Sequence, residues 1–283
     1  MAINYKDLMS RQQVNLEVSY GEQEAMLYAL AIGLGRDPLD HAELPYVYER
    51  PALKILPTFA SILPPAGFLQ DCGWNYDQVL HGEQKLQLYR PLPQRARLLI
   101  NRRVVDVFDK GKKGAIICIE TEGRLASNDN ALFTLASTIV ARADGGCGGS
   151  SGSTPKPHSL PRRAADMFCE LQTRKDQALI YRLCGDRNPL HADPLFAEKQ
   201  GFPVPILHGL CTYGIACHAI LKTICDYDFT LVTAFDVRFT APVYPGDTVK
   251  TEMWQDGNVV SFRCTVPERA VTVLDNGRCV IAG

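Results

Sequence analysis

Residues 181–191 read Tyr-Arg-Leu-Cys-Gly-Asp-Arg-Asn-Pro-Leu-His, and residues 28–40 read Tyr-Ala-Leu-Ala-Ile-Gly-Leu-Gly-Arg-Asp-Pro-Leu-Asp. Arg36-Asp37-Pro38-Leu39 overlies Arg187-Asn188-Pro189-Leu190. The register then continues without a gap: Leu39 to Ile55 and Leu190 to Ile206 are both 16 positions, which brings Ile55-Leu56 onto Ile206-Leu207. Downstream, Gln87-Leu88-Tyr89-Arg90-Pro91 resembles Arg238-Phe239-Thr240-Ala241-Pro242, each the end of a strand turning into another. Agreement at separated places along one spacing is the mark of an internal duplication.

Residues 144–161 are too rich in Gly, Ser and Pro for helix or strand and read as a linker. They divide the chain into an amino-terminal repeat, residues 1–143, and a carboxyl-terminal repeat, residues 162–283. Within the linker, Gly148-Gly149-Ser150-Ser151-Gly152 matches the G-x-S-x-G nucleophile pattern in letters only. No strand precedes it and no helix follows, and that context is what gives the pattern its chemistry.

Composition removes several function classes. With 30 basic and 31 acidic residues the net charge is -1, so no electrostatic footprint for nucleic acid or a membrane surface is expected. No window approaches the ~18 apolar residues of a membrane span. The ten cysteines fall inside apolar runs such as Ile116-Ile117-Cys118-Ile119, which suits free thiols better than a disulfide framework. Cys211 and Cys217 are six apart beside His218, and without a C-x-x-C or H-E-x-x-H pattern no metal site is expected.

Each half shows the same order of elements. A helix comes first, over residues 23–32 and 175–184, with Thr173 as the cap of the second. A longer apolar segment follows, residues 58–69 and 209–224. In the latter, Leu210, Tyr213, Cys217 and Ile220 recur at the three- and four-residue steps of a buried helix. Strands are expected over residues 98–108, 115–120 and 132–140, and over 235–240, 248–254, 259–266 and 271–274. Asp275-Asn276-Gly277 reads as a hairpin turn. These patterns alone reach an α+β class.

Tyr181-x-Leu-Cys-Gly-Asp186-x-Asn188-Pro189-Leu190-His191 resembles the signature of the (R)-specific enoyl-CoA hydratases, the MaoC-like hydratase 2 family that includes the hydratase part of peroxisomal multifunctional enzymes. The resemblance extends over nearly the whole chain. It takes in Tyr28-Ala-Leu-Ala-Ile-Gly, Leu56-Pro-Thr-Phe-Ala60, Leu80-His-Gly-Glu-Gln84, Tyr89-Arg-Pro-Leu-Pro93 and Pro205-Ile-Leu-His-Gly-Leu-Cys-Thr212. It implies a double hot-dog fold, in which two repeats each wrap an antiparallel sheet around a long central helix. It also implies reversible hydration of trans-2-enoyl-CoA to (3R)-3-hydroxyacyl-CoA in fatty acid metabolism. No cofactor is implied, coenzyme A being part of the substrate.

The residue types suit that task. Adding water across a conjugated double bond needs a base for the water and an acid for the neighbouring carbon; Asp186 and His191 supply a carboxylate and an imidazole. Pro189 stiffens the loop between them, and by resemblance Asn188 helps to orient the pair. Gly209, opening the long helix of the second half, is the expected backbone donor to the thioester oxygen. His208 reads as a structural residue bonding the loop, His218 as a surface or core residue of the helix, and His81 as structural.

In the aligned first half, Asp186 becomes Gly35, His191 becomes Asp40 and Gly209 becomes Thr58. One active site per chain is therefore expected, although His41 falls one position late and Asp37 falls on Asn188. By resemblance the first half accommodates the acyl chain. A hot-dog thioesterase and a noncatalytic acyl-CoA-binding protein are the competing readings. The end Val280-Ile281-Ala282-Gly283 is not a peroxisomal address of the S-K-L type, which leaves cytosol and peroxisome open. Oligomeric state, a homodimer included, is not readable from these residues.

Overall fold

The computed structural model describes residues 3–75, 78–152 and 154–283. Its first half carries strands β1 (Gln12–Tyr20), β2 (Val79–Leu88), β3 (Ala96–Asp109), β4 (Ala115–Leu125) and β5 (Ala131–Ala141). The second half carries β6 (Met167–Gln172), β7 (Val232–Phe239), β8 (Thr248–Asp256), β9 (Val259–Val266) and β10 (Val271–Ile281). All pair antiparallel in one sheet of order β1-β3-β4-β5-β2-β7-β10-β9-β8-β6. The first five run 1-3-4-5-2 and the last five 6-8-9-10-7. Adding five to each number of the first series gives the second, so the duplication read from the sequence is repeated in the strand topology.

The halves meet where β2 pairs with β7, with Lys85 opposite Asp236 and Leu86 opposite Phe235. Strand formation follows the period-2 rule that alternate side chains face one side. Along β4, Ala115, Ile117, Ile119, Thr121 and Gly123 face inward, with less buried residues between them. One hydrophobic core runs through both halves and includes Tyr28, Phe59, Tyr181, Tyr213, Phe235 and Phe262; a smaller one lies around Leu8, Val107 and Ile117.

Among the described residues there are six α-helices, α1 (Tyr5–Ser10), α2 (Glu22–Ala31), α3 (Leu44–Val47), α4 (Gln177–Tyr181), α5 (Pro194–Lys199) and α6 (Gly209–Thr223), of which α1, α2 and α6 lie against strands of the sheet. α6 is the central helix of the second half. Every residue from Cys211 to Leu221 is buried, as a helix apolar on all sides must be. The first half departs from expectation here. Where a long helix over residues 58–69 is expected, the chain makes only a 3-10 helix, Pro57–Ile62. Pro64 and Pro65 explain the stop, because a proline lacks the N–H that the next turn needs and pushes the residue before it out of helical geometry. The double hot-dog therefore has one long central helix, not two.

Two smaller expectations are also corrected. α4 begins after Asp176, not Thr173, whose hydroxyl instead donates to the carbonyl of Asp247 at 2.8 Å. Asp275-Asn276-Gly277 makes no hairpin turn: β10 runs through it with a bulge, Asn276 at a φ of 55° and its side-chain amide donating to the carbonyl of His158. The glycine-rich segment is tied down by backbone bonds between Ser150 and both Val107 and Asp109, and the carboxylate of Asp109 accepts the N–H groups of Gly146 and Gly148.

Candidate functional site

The loop after α4 folds through its own side chains. A 3-10 turn, Arg182–Cys184, ends at Gly185, whose φ of 125° is a conformation that a side chain would strain. Asp186 Oδ1 accepts the N–H of Asn188 at 3.0 Å, and Asn188 Oδ1 accepts the N–H of Leu190 at 3.0 Å. Two Asx turns in succession thus cap the 3-10 turn Pro189–His191 and carry the chain from exposed Asp186 to buried His191. The side chain of Asn188 is engaged with this backbone.

His191 is held by its far nitrogen. Nδ1 lies 2.8 Å from the carbonyl oxygen of Ile206, which can only accept, so the proton sits on Nδ1 and Nε2 keeps a bare lone pair. Burial pushes the pKa of this imidazole down, against smaller upward pulls from the Ile206 carbonyl and Asp186. The ring is therefore held neutral, the form a general base requires.

α6 brings the remaining groups. His208 is its N-cap, in extended geometry, and Gly209 begins the first turn. The N–H of Gly209 has no carbonyl four residues back inside the helix and stands at the positive end of the helix dipole. The ring of Phe239 lies against this glycine; a Cβ added there would come within 3.2 Å of it. His81 of β2, a residue of the first half, lies 4.8 Å from the Phe239 ring between centroids; burial pushes its pKa down to about 4, against smaller upward pulls from the Glu83 carbonyl, Gln84 and Asp186.

Asp186, His191 and His208 each offer a ligand atom within 4.8 Å of the other two. The two imidazoles are stacked, 3.7 Å between centroids and 26° between planes. Planes so disposed converge only roughly 7 Å away, whereas a zinc ion must lie in the plane of each ring at ~2.0–2.1 Å from nitrogen. Stacked in this way, the two rings do not aim their nitrogens at one ion.

In the first half the corresponding loop keeps one of the two Asx turns and loses these groups. Asp37 Oδ1 accepts the N–H of Leu39 at 2.9 Å, the same turn that Asn188 makes. Gly35, in the place of Asp186, gives its N–H to Glu43 Oε2 at 2.8 Å, and Asp40, in the place of His191, caps Ala42 and Glu43. The other oxygen of Glu43 accepts from His218 Nε2 at 2.9 Å and from the Tyr227 hydroxyl at 3.0 Å. His218, expected as a surface or core residue of α6, is thus a buried partner of the opposite half.

The structure brings Asp186 and His191 together beside the start of α6, and His208, expected as a structural residue bonding the loop, bonds the carbonyl of Asp186; the nearness of His81 was not anticipated. Leu80-His81-Gly82 and Leu207-His208-Gly209 share letters but lie at different distances from the loop, so spacing alone gives no reason to bring both to one place.

Comparison with known proteins places this geometry in a family. A MaoC-like domain model matches residues 158–276, and a model of the hydratase 2 N-terminal domain of multifunctional enzyme type 2 matches residues 18–143. The peroxisomal enoyl-CoA hydratase 2 of Arabidopsis thaliana is 39% identical over 285 residues, covering 94% of this chain and 92% of that protein. The crystal structure of a MaoC-like dehydratase from Phytophthora capsici superposes with a TM-score of 0.86 at 30% identity, over 99% of this chain and 98% of the other. A Mycobacterium tuberculosis structure described as a double hot-dog fold, 17% identical, matches in fold with a TM-score of 0.58 over 98% of this chain and 97% of its own. Two family models that between them take in both halves, and a full-length relative at that identity, make the chain a member of the MaoC-like hydratase 2 family.

Proposed function

We propose that the chain is a (3R)-specific 2-enoyl-CoA hydratase, working on trans-2-enoyl-CoA and (3R)-3-hydroxyacyl-CoA thioesters. The observation that carries this reading is the meeting, in the second half, of a carboxylate, a neutral imidazole with a bare Nε2, and the N-terminus of a buried helix.

A water between Asp186 and His191 Nε2 loses a proton to the dyad as its oxygen bonds to C3 of the enoyl group. The electron pair of the double bond moves towards C2 and the thioester oxygen, where the N–H of Gly209 and the dipole of α6 stabilise the charge. C2 then takes one proton from the dyad. One water is consumed and the dyad ends as it began, without metal or redox cofactor. Asn188 serves by stiffening the loop that holds Asp186 and His191 at a fixed distance.

By the family resemblance the acyl chain is assigned to the first half, where the short 3-10 helix Pro57–Ile62 stands in the place of α6. Among the described residues no helix is long and apolar enough to cross a membrane. A peroxisomal setting, as in the name of the plant relative, and a cytosolic one both suit the reaction.

The test is to follow crotonyl-CoA and a longer trans-2-enoyl-CoA by loss of enoyl absorbance, with thiol release measured in parallel and the product resolved by chirality. Hydration to the (3R) alcohol supports the proposal. Thiol release without hydration would point to a thioesterase, and tight binding without turnover to a carrier.

A further inference from the structure

His208 touches every part of the site and belongs to none of the chemical steps above. Its Nε2 lies 3.2 Å from the carbonyl oxygen of Asp186, so Nε2 carries the proton and donates it. Its face lies on His191 at 3.7 Å, and the ring of Tyr181 lies 4.9 Å away. Its own carbonyl accepts the N–H groups of Cys211 and Thr212 in the first turn of α6, one residue from Gly209. It is 1% exposed, and its Nδ1 has no hydrogen-bond partner among the described residues.

We infer that His208 is the positioning residue of the hydration site: it holds the Asp186 loop through a backbone carbonyl and the His191 ring through its face, and fixes both against the helix start that presents Gly209. The inference rests on the hydratase reading.

The duplicated half separates this role from a general need of the fold. By the same alignment that puts Gly35 on Asp186 and Asp40 on His191, Pro57 stands on His208. The loop of the first half keeps the Asx turn that Asn188 makes, yet all three positions have changed together. A histidine needed only to shape the loop would have been needed there too.

His208 suits the role because it stays neutral. Burial first, then the neighbouring His191, hold its pKa down to about 3, while Asp186 pulls upward and Arg182 downward. A neutral ring on His191 keeps water from one face of that imidazole and so disfavours its charged form. The other titratable or charged groups around the pair are Asp186, Arg182, Tyr181 and, from β2, His81.

Two substitutions divide the two contacts. His208→Gln keeps an N–H donor for Asp186 and loses the aromatic face; His208→Phe keeps a face and loses the donor. With the parent active on crotonyl-CoA, we expect the acid limb of kcat/KM to move to higher pH in H208Q, and kcat to fall by ~10–100-fold at little change in KM in H208F. In the parent, nitrogen NMR of labelled histidine is expected to find His208 as the Nε2–H tautomer, without titration above pH ~4. A His208 that titrates near pH ~6.5 in the parent overturns the inference whether or not either variant folds. Variants with parental kcat and an unmoved acid limb overturn it as well. An inactive parent would instead strike the hydratase reading itself.

Discussion

The carboxylate of Glu43, in the half that lacks the dyad, lies 2.9 Å from Nε2 of His218, in the half that carries it. Both side chains are buried, Glu43 at 5% exposure and His218 at 2%. Burial works against the charge on Glu43, but the His218 bond and charge, the N–H of Gly35 and the Tyr227 hydroxyl outweigh it and bring its pKa down to about 2.

A carboxyl group that titrates lower in the folded chain than in the unfolded one stabilises the fold above its unfolded pKa, and that stability is lost as pH falls through the folded value. For Glu43 it amounts to about 3 kcal/mol at neutral pH. Glu43→Gln should therefore lower Tm by roughly 5 °C or more at pH 7, and should remove one proton from the uptake that accompanies acid unfolding. A thermal melt at pH 7 measures the first, and denaturant melts of parent and variant from pH 7 to pH 3 the second; an unchanged pH slope would remove Glu43 from the account.

The downward shift of His191 sets the acid side of the pH profile. Its neutral form is the working one, so kcat/KM should be flat through pH 7 and fall only below the ordinary histidine value of ~6.5. An acid limb at or above that value would mean that another group controls the reaction. Asp186→Asn should lower kcat by ~1000-fold or more with the melting curve retained, since Asp186 is exposed and an amide oxygen can still accept the N–H of Asn188; His191→Ala should lower kcat as much and lower Tm as well, because the ring is buried and bonds the Ile206 carbonyl.

Gly209→Ala tests the helix start. The added methyl would stand 3.2 Å from the Phe239 ring, which has to shift by a few tenths of an ångström, and it would occupy the approach of the thioester oxygen. The chain should fold, and kcat should fall by about tenfold or more as the oxygen is kept from its donor. Steady-state kinetics beside a thermal melt would separate the two effects; full activity would move the oxyanion site elsewhere.

Asn188 and Asp37 make the same turn in the two halves, which predicts what each can replace. Asn188→Asp should leave Tm nearly unchanged while lowering kcat, because it adds a charge beside Asp186. Asn188→Ala should cost about 1 kcal/mol by removing the cap on Leu190. Loss of stability in the aspartate variant would show that the turn depends on the amide.

The loop of the candidate site was legible because it is local: Asp186, Asn188, Pro189 and His191 lie within six positions, and the loop folds through its own side-chain-to-backbone bonds. The duplication was legible because it repeats letters at a fixed spacing. β1 and β6 were not, since they form the two edges of the sheet and mix polar with apolar residues, as Gln12, Gln13, Asn15 and Glu17 do in β1. The long helix expected in the first half failed on Pro64 and Pro65, which weigh more than an apolar run. His81 and Glu43 act across the join between halves, so nothing near them in the chain reports their partners.

The pairing of β2 with β7 has a further consequence. Two separate copies of a single repeat would be encoded once, and every substitution would appear in both, so a pair of sites could only be kept or lost together. Joined in one polypeptide, each copy drifts alone. Gly35, Asp40, Pro57 and the Pro64-Pro65 break could then arise on one side of the molecule while Asp186, His191, His208 and the full length of α6 persisted on the other. Fusion is what allowed the molecule to give up symmetry.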